Sequence, residues 1–175
     1  MKYVSTIVAF IAIILCVVLF IKLDKLTPAE ETRTETPAAE VDPVVVMGRL
    51  QIYMNKLYFA GKEENKALYQ FYLNELREGM TEVAGGKITM DNIDISGNME
   101  AFGLPSLKVI EKRIGEEGFK NFDTHYNNVV TACNSCHKVA QKGFIAITVP
   151  KTPIFDNQIY KKGEFSDMLV DTDGD

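Results

Sequence analysis

Cysteine is scarce in this chain, with three among 175 residues, so a disulfide framework cannot be what holds it together. Cys133 and Cys136 sit three positions apart, and Cys16 lies in a wholly apolar run, which leaves no cysteine for a second covalent bridge. Basic charge is also in deficit. Nineteen Lys and Arg stand against 24 Asp and Glu, for a net charge of −5. With no basic stripe to neutralise phosphates, a nucleic-acid partner is excluded. Glycine pairs such as Gly85-Gly86 lack the strand-then-helix frame of a phosphate loop. The acids around Asp91 and Asp94 do not fit the spacing of a calcium loop, and no ligating glutamate follows them.

What is present is the pentapeptide Cys133-Asn134-Ser135-Cys136-His137. Two cysteines three apart with histidine directly after the second form the attachment signature of haem c. On a helix the two thiols lie one turn apart on one face, within reach of the two vinyl groups along one porphyrin edge. The same geometry offers the His137 imidazole as proximal iron ligand. From average composition, such a motif arises by chance in roughly one protein per thousand of this length. A thioredoxin-type pair would want a βαβ context, and none is readable. A structural zinc site would need a fourth ligand, and adjacent Cys-His is awkward for a tetrahedral shell. A disulfide would leave His137 without a reason. The residues point to one covalently bound haem, and to an electron carrier rather than an enzyme, since no other catalytic grouping stands out.

Residues 3–21 form an uncharged apolar run. At about 1.5 Å per residue a helix of that length covers roughly 28 Å, close to the hydrocarbon thickness of a bilayer. The run is long for a signal-peptide core and ends without a small-x-small cleavage site, so residues 1–24 are expected to be an uncleaved single-pass anchor. Covalent haem attachment takes place outside the cytoplasmic membrane. The expected location is therefore the cytoplasmic (inner) membrane, with the haem domain on the periplasmic or external side. Residues 25–42 carry Pro28, Pro37, five acids and Arg33, the composition of a solvated tether.

Beyond the tether, helical periodicity predicts an all-α domain over residues 43–143. Asp42-Pro43 is a helix start, followed by Met47, Leu50, Met54 and Leu57 on one stripe to Gly61. A second helix is expected over 63–84, with Leu68, Phe71, Tyr72, Leu76 and Met80 facing inward. Residues 87–103 read as irregular. A short third helix should run from Pro105 to Gly115. The fourth should span 117–141, carry the motif at its C-terminal end and stop at Gly143. Residues 144–175 are expected to be an extended apolar strap, Phe144 to Val149, followed by a polar tail.

An antiparallel bundle of four helices with C-x-x-C-H at the end of the last resembles the cytochrome c′ family, the class II c-type cytochromes, over Pro43 to Lys142. The segment Lys56-Leu-Tyr-Phe-Ala-Gly-Lys62, together with the pentapeptide and Gly143-Phe-Ile145, is further similar to bacterial monohaem proteins of that fold. The resemblance implies thioethers at Cys133 and Cys136 and a proximal bond from His137. The anchor and the strap are departures from the soluble members.

The sixth iron position separates two functions. One axial histidine leaves iron open to small gases, whereas two protein ligands make it mainly an electron carrier. His125 lies 12 residues, about 18 Å, up the same helix as His137 and cannot supply the second ligand. In an up-down bundle the start of the first helix lies beside the end of the fourth. Met47 is the first candidate on those grounds, with Met54 the second, and a thioether is a suitable soft ligand. A five-coordinate iron with Met47 packing over it is the alternative, giving a gas-binding or gas-sensing protein. Arg49 and Gln51 are candidates for haem propionates, and Lys138 and Lys142 for steering an acidic redox partner.

Overall fold

The computed structural model describes residues 41–163, with helical positions at 13, 15, 17–19 and 22. The chain divides into two compact units, Met1–Ala39 and Glu40–Asp175. In the first, Ile13, Leu15, Val17, Val18 and Leu19 are helical and each is more than half exposed. Most of the expected anchor, nearly all of the tether and the tail beyond residue 163 lie outside the described residues. Among the described residues, no helix is long and apolar enough to cross a membrane.

The second unit is mostly helical. Helix α1 spans Pro43–Lys62, and its start follows the expected chemistry. The Asp42 carboxylate accepts from the Val44 N–H at 2.8 Å, and proline occupies the first turn, where a missing donor costs nothing. Helix α2 spans Lys66–Gly85 and begins three residues later than expected, because Asn65 caps it by accepting from the Leu68 N–H at 3.2 Å. The three-residue link folds the two helices against each other as the most extensive pair in the domain. Its core stripe is Tyr69, Tyr72, Leu73, Leu76, Met80 and Val83. Phe71, expected inside, is 54% exposed and packs edge-on against Tyr72 at 5.2 Å. It lies roughly 100° around the helix from that stripe's neighbours.

Residues 87–103 are more ordered than their turn-forming composition suggests. Thr89–Met90 (β1) and Ile93–Asp94 (β2) pair as a small antiparallel hairpin. Its two-residue turn holds Asp91 and Asn92 at positive φ, which these side chains tolerate better than most. Buried Ser96 fixes the hairpin to the end of α2, donating to the Val83 carbonyl at 2.7 Å and accepting from the Ile88 N–H at 2.8 Å. A single turn, α3 (Ile95–Asn98), runs through a π-helical turn at Met99–Gly103 into α4 (Leu104–Glu117).

Helix α5 spans Phe122–Val139. It starts five residues later than expected, since Gly118 (φ 65°) and Asn121 (φ 59°) turn the backbone through the left-handed region. Phe122, Tyr126, Val129, Val130 and Cys136 form its buried face. The α1–α5 register is set by three contacts. The Tyr58 hydroxyl donates to Asp123 (3.2 Å), the Tyr126 hydroxyl donates to the Met54 carbonyl (2.9 Å), and the Phe122 ring lies so close to Gly61 that an added Cβ would sit 2.1 Å from it. Residue numbers thus fall along one helix as they rise along the other.

Candidate functional site

The pentapeptide occupies the last turns of α5, and the helix ends by a different device from the one expected. Gln141, not Gly143, takes the left-handed conformation (φ 57°). The Lys142 N–H then donates back to the His137 carbonyl at 2.7 Å, and the Gln141 N–H to the Lys138 carbonyl at 3.1 Å. This is a Schellman cap, and it reverses the chain. The reversed segment is the strap, which runs back along α5 and α1 without regular secondary structure.

Three asparagines clasp the strap's backbone. The Asn134 side chain pairs with Ile147 as a peptide would, donating to its carbonyl at 2.9 Å and accepting from its N–H at 2.8 Å. Asn55, buried on α1, donates to the Thr152 carbonyl and accepts from the Ile154 N–H, both at 3.0 Å. Asn65 donates to the Tyr160 carbonyl at 2.9 Å. Sequence reasoning missed all three. A lone asparagine amide gives no periodic signal, and only its match to an extended backbone elsewhere in the chain reveals the role.

The reversal also brings the Ile145 carbonyl to 2.7 Å from Nδ1 of His137. A carbonyl only accepts, so Nδ1 is the donor here, and of the two neutral tautomers the contact selects the one with its lone pair on Nε2. That is the arrangement of a metal-ligating histidine, whose other nitrogen donates to a backbone carbonyl.

Both cysteines are free thiols. Cys136 is buried and Cys133 half-buried against the core. Burial, with a smaller contribution from neighbouring Cys136, pushes the Cys133 thiol up to about 11, and burial also raises Cys136. Nucleophilic redox cysteines carry depressed values, so the pair lacks the character of a thioredoxin-type site. Among the described residues no three His, Cys, Asp or Glu side chains gather as a metal cluster, and a self-contained zinc site would need such a group. Two thiols one turn apart and an imidazole with a bare Nε2 are the donor set that haem c requires, and in that respect the residues fit the group.

The helical register brings Met47 level with Cys133, and Met47 is half-buried against the core. Met54 is buried level with Tyr126, about 16 Å of helix from the level of His137. His125 is turned to Glu117, its Nε2 3.2 Å from the carboxylate. Arg49 pairs with Glu82 on α2, Gln51 and Lys138 are exposed, and Lys142 pairs with Asp91 of the hairpin turn at 2.9 Å. Beside that hairpin, a cleft of about 460 Å³ opens between Val41–Val44 and Gly86–Met90. Cys133, Cys136 and His137 do not line it. No protein-family model, characterised protein or solved structure matches this chain.

Proposed function

We propose that this chain is a membrane-tethered monohaem c-type cytochrome. In this reading it carries electrons between redox proteins on the outer face of the cytoplasmic membrane, and α1, α2, α4 and α5 form an antiparallel four-helix bundle. The observation that carries the reading is the pairing of two free thiols, one helical turn apart, with an imidazole whose Nδ1 is already engaged. Cys133 and Cys136 would hold the porphyrin through thioethers, and His137 would hold its iron through Nε2. Haem bound in this way supplies reversible one-electron chemistry.

The chain's own residues set the conditions for it. The Ile145 carbonyl fixes the His137 tautomer and raises its basicity as a ligand. Met47, level with Cys133, is the candidate sixth ligand, and its thioether would favour the ferrous state and raise the potential. The apolar run 3–21 would anchor the domain, and the acidic tether 25–42, at most about 60 Å when stretched, would let it reach membrane-bound partners.

Absorption spectra in both redox states test this reading. The account expects a low-spin haem whose oxidised form shows the far-red band of thioether ligation, and Met47→Ala should abolish that band. A wild type that is already high-spin, and that takes up carbon monoxide at once on reduction, would replace electron transfer by gas binding at an open iron position.

A further inference from the structure

Asn134 is one of the two residues enclosed by the cysteine pair, where a haem-attachment motif accepts almost any side chain. Here it is half-buried and spends both halves of its amide on the backbone of Ile147. Two residues earlier in the strap, the Ile145 carbonyl meets His137. Between the two contacts the chain has no regular structure, and Phe144 and Ile145 project into solvent, Phe144 at 81% exposure. No burial of its own therefore holds the Ile145 carbonyl in place. The Schellman cap fixes one end of the segment at Lys142, whose carbonyl also accepts from the Ile145 N–H at 2.8 Å, and past Ile145 the chain is next held by Asn134 at Ile147.

We propose that Asn134 is a positioning residue of the haem site. By clasping Ile147 it holds the Ile145 carbonyl on Nδ1 of His137, which keeps Nε2 free of a proton and strengthens it as an iron ligand. The strap is then part of the proximal side of the site. This inference rests on the haem reading, but its first consequence, the tautomer of the His137 ring, does not need haem. A stronger imidazole donor stabilises the ferric state, so loosening the clasp should raise the midpoint potential.

The test compares full-length wild type with Asn134→Ala and Asn55→Ala. Asn55 clasps the strap farther along, at Thr152 and Ile154, and serves as a control for general loosening. Nitrogen NMR of the haem-free chain, above the histidine titration range, should show the His137 ring protonated on Nδ1 in wild type and in Asn55→Ala, and a mixture of the two neutral tautomers in Asn134→Ala. In the haem-loaded chain, Asn134→Ala should shift the oxidation equilibrium about tenfold toward the reduced form, about 59 mV upward for a one-electron couple, with Asn55→Ala unmoved. Should Asn134→Ala fail to fold, Asn134→Gln keeps a neutral amide one methylene too long for the clasp and should shift the potential in the same direction by less. The proposal is overturned if the ring tautomer is unchanged in Asn134→Ala, or if the two alanine variants move the potential together. A wild type that carries no haem overturns the haem reading instead, and the NMR arm still decides the role of Asn134.

Discussion

The two ends of the helical domain are packed with different materials. At the end where α1 turns into α2, aromatic rings interlock. Tyr58, Phe59, Tyr69, Phe119, Phe122 and Tyr126 stand 4.9–6.0 Å apart in edge and tilted pairs, with Phe122 pressed onto Gly61. At the motif end the core is aliphatic and carries, in addition, a concentration of sulfur. Met80 and Met99 converge on Gly103 of the π-helical turn, Met47, Met90 and Cys133 pack on the core from α1, the hairpin and α5, and Cys136 is buried. Rings lock a geometry, whereas methionine side chains are flexible and polarisable and refill irregular space at low cost. π-Helical turns also tend to mark functional sites. One end is built to be rigid and the other to be adaptable, as the proposed haem would require.

The comparison can be broken by mutation. Phe122→Ala at the aromatic end should cost about 3–5 kcal/mol in urea unfolding, since the ring fills the space over Gly61 and no neighbour can replace it. The haem spectrum of whatever remains folded should be unchanged. Met80→Leu, although fully buried, should cost less than about 1.5 kcal/mol, because the motif end repacks around a volume-conserving change. An equal loss at both ends would remove the distinction. Gln141→Gly should gain about 0.5–1 kcal/mol by relieving the left-handed conformation at the α5 cap, read as a higher urea midpoint at constant slope.

The smallest effect should come from the exposed ion pair at the aromatic end. The hydrogen bond from Lys62 holds the Asp123 carboxyl below its ordinary value. A depressed carboxylate contributes its stability above the ordinary carboxylate range and loses it as pH falls through the folded-state value. Unfolding followed from neutral to acid pH should therefore show a loss of less than about 1 kcal/mol below the ordinary Asp range, absent in Asp123→Asn.

What could be read in advance followed the strength of local chemistry. Asp42-Pro43 announces a helix because cap and first turn act within four residues, and the pentapeptide points to the proposed haem because a porphyrin would fix that spacing. The π-helical turn was hidden among Asp, Asn and Gly, where turn formers signal irregularity without specifying which kind. The start of α5 was hidden because Phe119 and Phe122 keep the helical period across a linker that Gly118 and Asn121 actually bend. Tyr69 escaped the expected core for a related reason. Its ring packs against Phe119 of the linker and Phe122 of α5, contacts that periodicity within α2 does not encode. The contact between His137 and Ile145 depends on a chain reversal at Gln141, a residue whose type gives no hint of it.

The central claim is a porphyrin covalently joined to Cys133 and Cys136, and the intact mass of the protein tests it most directly. Produced in a host competent for covalent haem attachment, the wild-type chain should weigh the polypeptide plus one haem, and the Cys133→Ala/Cys136→Ala variant the polypeptide alone. A wild-type mass equal to the bare polypeptide under those conditions would contradict the account.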